Sequence, residues 1–476
     1  MATETAKVSA IESRHLDYVP ENERHGKVWR QGPFWFLGNF QPFTISIAFL
    51  GPVVGLNGLW TSVAGIAGIL FGTLFMAAHA AQGPQLGLPQ MIQSRAQFGY
   101  RGVVLPVIAT TFTFVAFNVV DVVIIKQGLN HIFSWNATSI AIVVSLAGAL
   151  LAIYGHDWIH KVFIGIFWLS LPFWIILTFG IFTGHAGGHG PLTGGFNVAG
   201  FFSMFAVAAS YNITYAPYVS DYSRYLKKNS SQGGIIAAVF TGAVGSPIWL
   251  IPVGAWMATR LGAADAITGI YAAGNSTVSH VGTLLALIAV VALVATMGIN
   301  AYSGMLSVVT IIDSFHPVPT GHKARISTII GLTIVWFVLG IVLANATTAL
   351  NNSLIIMLYL LAPWTSVNLI DFYAVRHGKF AITDFFNPTG IYGRWGSKGI
   401  ICYLVGIAVE IPFMYIPSVY QSPGATWLKL VDISWMLGLF VAGGLYFVLT
   451  RGTDRTAETA AIARSEATLA SDETWR

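Results

Sequence analysis

Apolar runs of about 20 residues, separated by short polar connectors, recur from Pro33 to Leu449 and leave little choice of fold. A helix of about 20 apolar residues crosses the ~30 Å of hydrocarbon in a bilayer. No water is available there to pair backbone N–H and C=O groups, so such segments pair their own as helices. Charge agrees: 9% of the 476 residues are charged, against about 25% in soluble domains. The expected class is all-α, a polytopic membrane protein of about twelve transmembrane helices.

The runs and their punctuation place the spans near Pro33–Leu56, Trp60–Ala81, Val103–Ile125, Ser139–Tyr154, Val162–Gly184 and Val198–Pro217. The remaining six fall near Gly233–Ala258, Val281–Ile312, Ile326–Ala344, Leu354–Phe372, Gly399–Ile416 and Ile433–Leu449. Trp60, Trp135, Trp158, Trp395 and Trp427 lie near span ends, as interfacial aromatics do. Residues 1–32 read as a polar N-terminal tail without the apolar core of a signal peptide. Residues 33–449 read as one transmembrane domain, and 450–476 as a charged, Ala-rich tail that is either disordered or a surface helix.

With an even number of spans, both tails share a side. That side receives 21 of the 24 Lys and Arg residues; only Lys126, Arg260 and Lys429 fall opposite. The positive-inside rule then predicts cytoplasmic termini in a cell membrane. The same distribution accounts for the net charge of +5 without an acidic partner, and no basic-aromatic surface suggests nucleic acid. Cys402, the single cysteine, excludes an internal disulfide and any multi-Cys metal site.

Two spans are interrupted. Span one contains Gly38, Asn39, Gln41, Pro42, Thr44, Ser46, Gly51 and Pro52; span six contains Ser210, Asn212, Thr214, Tyr215 and Pro217. Broken helices free backbone groups, which are tolerable beside protein or a watery cavity. Pro and Gly are common in membrane helices, which is the bland explanation. Interruptions at corresponding places in two halves are instead the sequence pointer to a transporter's binding site. Spans one and six are five apart, which fits a five-plus-five repeat with two helices added. Span three carries Asp121, four residues after Phe117 and so on the same helix face. A buried carboxyl costs about 2.5–3.5 kcal/mol on insertion scales and needs a partner or a purpose. Lys126 is about 140° round the helix from it. Asp121 therefore bonds a neighbouring helix, snorkels outward, or functions. Glu410 in the late span eleven and Asp371 at the end of span ten suit structural roles better. Asn300 in span eight offers both a donor and an acceptor, which suits the amide edge of a heterocycle or, equally, helix–helix contact.

Enzyme chemistry finds no support. His156 and His160 have ligand spacing but lack a third ligand and the adjacent Glu of a zinc motif. The Gly-rich stretch His185–Gly195 lacks the Lys-Ser/Thr of a phosphate loop, and no nucleophile elbow or dinucleotide fingerprint is present. No cofactor or bound metal is expected.

Several stretches in order resemble one family. They are Asn39 with Ser46–Leu56, Gly87–Gly99 (GLPQMIQSRAQFG), Ala216–Tyr225 (APYVSDYSRY) and Asn300–Gly304 (NAYSG). Ala362–Tyr373 (APWTSVNLIDFY), Val375–Gly378 and Gly390–Gly393 complete the set. Together they resemble the nucleobase–cation symporter-1 family and its purine–cytosine permease branch. The resemblance implies a LeuT-type five-plus-five inverted repeat plus two helices, with substrate held between spans one, three, six and eight. It implies that a planar base stacks between Phe117 and Tyr215, positions usually Trp in relatives. It also implies that Asp121 stands where Asn or Gln is usual, and that Asn300 and Ser46 hydrogen-bond the substrate. Asn39, at the break of span one, joins these as a candidate contact. The expected function is import of a cytosine- or purine-like nucleobase by cation symport. In this fold sodium takes oxygens from span one and hydroxyls from span eight, yet Val291–Thr296 offers one hydroxyl. A hard cation needs several oxygens. Protons are therefore favoured as the coupling ion, with Asp121 as carrier. Allantoin, hydantoin or a vitamin precursor such as thiamine as substrate remain open, as do sodium coupling and a non-concentrating channel or receptor.

Overall fold

The breaks in spans one and six organise the molecule, and both occur where the sequence interrupts its apolar runs. A computed structural model describes residues 16–154, 156–190, 194–316, 318, 322–453 and 455–471. Side chains of residues 156–160, including the His156/His160 pair and Trp158, lie outside the described residues, as do residues 1–15 of the N-terminal tail.

Span one is a helix over Gln31–Asn39, then Pro42–Ala48 continuing into Leu50–Val53. Pro42 lacks an N–H and so begins a helix well but cannot continue one. Gln41 caps the new start, its side chain accepting from Phe43 N at 2.7 Å. Span six is Val198–Ile213 followed by Ala216–Ser223, with Pro217 in the first turn of the second piece. The intact spans two to five are Gly58–Ala80, Val104–Phe133, Ala137–Tyr154 and His156–Thr183. Spans seven to ten are Gln232–Trp256, Val281–Asp313, His322–Val342 and Ala346–Leu369. Spans eleven and twelve are Ser397–Glu410 and Ser434–Thr450.

Five predicted ends move by six residues or more: span five starts at His156, span six runs on to Ser223, span ten starts at Ala346, and the ends of spans three and eleven shift. Span three runs on to Phe133, past the charged Lys126. The Lys126 ammonium donates to Ile341 O (2.9 Å) and Leu343 O (2.7 Å) at the C-terminus of span nine. A cation there satisfies orphan carbonyls and the helix dipole, so the helix can carry it. Span eleven stops at Glu410 and not near Ile416, because Pro412 opens a 3-10 turn. A hairpin then pairs Tyr415–Ile416 with Tyr420–Gln421. A helix at Ala266–Thr277, too short to read as a span, is capped by Asp265.

Packing follows the repeat. Span two packs on spans six and seven, and span one on seven. Spans three and four pack on eight and nine. Span five lies on span eight, and span ten on span three, as an offset of five spans requires. Spans eleven and twelve pair with each other and flank span ten. Span two reaches span six through glycines: a Cβ on Gly68 would lie 2.3 Å from Phe205 O, and one on Gly72 2.1 Å from Ala209 O.

Both tails meet one face. Val19 N donates to Gly87 O, and Arg24 to Pro84 O. The C-terminal tail is a helix, Thr456–Ser471, docked through Thr383 N on Ser465 Oγ (3.0 Å) and Arg376 Nε on Glu458 (2.5 Å). Arg376 also pairs with the buried Asp371, which accepts from Tyr446 (2.8 Å) and Gln97 (2.5 Å). Asp371 is thus held in structure, as its place at the span end suggested.

Candidate substrate site between the broken helices

Span three faces the two breaks, and the rings at their centre are in mutual contact. Phe117 and Tyr215 lie nearly parallel, 17° apart, with centroids at 5.7 Å. Phe43, just after the break in span one, meets Phe117 edge-on at 5.3 Å and stacks on Tyr211 at 5.2 Å and 10°. Aromatic pairs at such spacings each add about 0.5–1.5 kcal/mol beyond their buried area. Phe117 and Tyr215 are 2% and 3% exposed, so the site is shut off from both faces in this conformation.

Toward the terminal face, more rings close the path. Trp35 lies 5.8 Å from Tyr215 and 6.2 Å from Tyr218, and Tyr218 lies 4.9 Å from Phe114. Below them Asp221 accepts from Gln90 N (3.0 Å) and Ser303 Oγ (2.9 Å), tying the inner half of span six to the connector after span two and to span eight. On the opposite face a cavity of about 440 Å³ opens between the outer ends of spans one, six and ten, with Leu50, Ser203, Asn351 and Ile355 in its wall.

Asp121 sits one turn beyond Phe117, wholly buried, and neither carboxyl oxygen has a hydrogen-bond partner. It neither bonds a neighbouring helix nor reaches outward. Asn300 is likewise buried; its Nδ2 donates to Asn118 Oδ1 at 3.0 Å, while its own Oδ1 has no partner. Asn118 in turn donates to Met297 O at 3.2 Å. The unmatched groups on spans three and eight are therefore three acceptor oxygens.

The two candidates on span one are placed differently. Asn39 spends its Nδ2 on Asn212 Oδ1 (3.0 Å) and Ala243 O (2.8 Å), joining spans one, six and seven, and keeps a bare Oδ1. Ser46 donates to Pro42 O at 3.0 Å, within its own helix, and is 7% exposed. Thr296 donates to Ala292 O at 3.1 Å.

Sequence reading gave no site role to Asn118, Gln41 or Tyr211. Asn118 adjoins Phe117, and a second amide in an apolar span was signal enough to pair it with Asn300. Gln41 precedes Pro42, the place of a cap. Tyr211 is one turn before Tyr215 and shares its face.

Known proteins agree with this architecture. Residues 18–438 match the family described as permease for cytosine/purines, uracil, thiamine, allantoin. The chain is 34% identical over 445 residues to YxlA of Bacillus subtilis (strain 168), a protein named as a purine-cytosine permease, covering 93% of this chain and 96% of that one. An allantoin permease of the same organism is 23% identical over 161 residues, 33% of this chain and 31% of the permease. Among solved structures, Mhp1, a nucleobase-cation-symport-1 transporter in a closed conformation with bromovinylhydantoin bound, superposes with a TM-score of 0.75. Its identity is 17%, and 96% of this chain and 100% of Mhp1 are covered. A manganese transporter of Eremococcus coleocola reaches a TM-score of 0.55 at 16% identity, over 96% and 99% of the two chains. At such identities the likeness concerns the fold.

Proposed function

Because the chain belongs to the family of permeases for cytosine and purines, uracil, thiamine and allantoin, we propose that it imports an amine-bearing nucleobase together with a proton. Both termini are cytoplasmic in this reading, and Asp121 takes part in binding the base and in carrying the proton. The observation that carries the proposal is the Asp121 carboxyl, buried one turn from Phe117 with both oxygens unmatched. A bare buried carboxylate costs several kcal/mol, so it holds a proton or meets a donor. The unmatched Asn300 Oδ1 adds a third acceptor. An edge of acceptors suits a base that presents an exocyclic amine, such as cytosine or adenine, better than one that presents carbonyls.

Phe117 and Tyr215 supply the faces. Stacking contributes about 1–3 kcal/mol per base and tolerates different bases. Their rings already touch at 5.7 Å, so a base enters by displacing one of them as the helix breaks move. Proton coupling is favoured over sodium because Thr296 is the single hydroxyl in its stretch of span eight. Uptake of labelled cytosine, adenine, hypoxanthine, uracil and allantoin into proteoliposomes, under an imposed pH or sodium gradient, tests the reading. Wild type should accumulate cytosine or adenine on the proton gradient, and Asp121→Asn should not. Sodium-driven uptake indifferent to pH, or accumulation by Asp121→Asn, would sink it.

A further inference from the structure

The Tyr211 hydroxyl is the meeting point of the two helix breaks. Gln41 Nε2 lies 2.9 Å from it, Thr44 Oγ1 3.1 Å and Tyr215 Oη 3.2 Å. Thr44 has one hydroxyl proton, and Asn39 O takes it at 2.7 Å. Tyr211 therefore donates to Thr44 while accepting from Gln41 and Tyr215, which exhausts a phenolic hydroxyl. The ring is held as firmly, flat on Phe43. Gln41 is committed at both ends, since its Oε1 accepts from Phe43 N at 2.7 Å. A continuous chain thus runs from the restarted helix of span one, through Gln41 and Tyr211, to Tyr215 at the break of span six. All of its members are buried. A buried network with its partners satisfied favours one geometry, so moving one end is felt at the other.

We propose that Tyr211 is the positioning residue that sets the stacking ring of Tyr215 according to the state of the span-one break. A base that displaces Tyr215 pulls on Tyr211, and through Gln41 and Thr44 on the restart of span one. The proposal rests on the reading of Tyr215 as a substrate-stacking ring.

The test compares wild type, Tyr211→Phe, Tyr215→Phe and the double variant in proteoliposomes. Initial uptake of labelled cytosine and adenine and thermal unfolding are both measured. Each single change keeps its ring and removes the shared bond, and Tyr211→Phe also removes the bonds to Gln41 and Thr44. Each should raise KM by about tenfold, the double no further than the worse single, because one bond is lost only once. Gln41→Leu should raise KM similarly from the other end of the chain. A silent Tyr215→Phe, with Tyr211→Phe lowering only the unfolding temperature, would reduce Tyr211 to a structural role and overturn the proposal. Multiplying KM effects in the double variant would overturn it too. Wild type that takes up no base would instead remove the substrate reading, and this proposal with it.

Discussion

Removing the Asn300 side chain strips Asn118 Oδ1 of its donor and takes away one of the three bare oxygens on spans three and eight. Asn300→Ala should therefore cost about 1–3 kcal/mol of substrate binding, a KM raised by roughly 5- to 150-fold. Glu410→Gln is the control. Glu410 also has two unmatched oxygens, but it lies against Gly438 in the flanking pair of spans eleven and twelve. Uptake by that variant should stay within about twofold of wild type, since the change is remote from the site. Equal losses in both would place the site wrongly. Tyr215→Ala should weaken binding by the stacking contribution, about 1–3 kcal/mol, with insertion unharmed, while Tyr215→Trp keeps transport. Equilibrium binding of labelled cytosine measures both. At this scale the sequence exposed types better than partners. Phe117 and Asp121 were visible through their four-residue spacing, and the broken spans through Pro42 and Pro217. That Asn39 gives its amide to Asn212 and Ala243 was not, because those partners are 173 and 204 residues away.

Elements hold together where side chains are smallest. Gly68 and Gly72 let span two lie directly on the carbonyls of span six, and small residues at that spacing are how membrane helices approach closely. Gly72→Ala should lower stability by about 1–3 kcal/mol, since its Cβ meets backbone that cannot rotate away. Gly331→Ala on the exposed side of span nine, where a Cβ meets nothing within 4 Å, should be neutral or slightly stabilising. Thermal unfolding of the purified variants separates the two. If they behave alike, the close contact of spans two and six is not what those glycines serve. The existence of the long apolar helices was legible, because apolar length is a property of single segments. The ends were less so: Lys126 looked like a stop for span three until span nine supplied carbonyls for it. The capped helix at Ala266–Thr277 has no twenty-residue apolar run to announce it.

For the whole molecule, Arg376 fastens the C-terminal helix to the membrane domain by reaching Asp371 on one side and Glu458 on the other. Arg376→Ala leaves the buried Asp371 without its cation, a change that costs about 3–5 kcal/mol when a buried pair is broken from one side. A lower unfolding temperature and faster proteolysis within Thr456–Ser471 should follow; unchanged proteolysis would show that the helix docks by other contacts. The five-plus-five order was inferred from two breaks alone, and the paired packing of spans five on eight and ten on three supplies the symmetry that no residue pattern carried. The proposed proton symport through Asp121 also makes the cycle an electrical event. A neutral base crossing with one proton moves one positive charge. Each 100 mV of membrane voltage then contributes about 2.3 kcal/mol, a limit of about fifty-fold accumulation. At equal pH on both sides, accumulation should still rise when a potassium–valinomycin potential is set negative inside, and fall back to equilibration when the potential is collapsed.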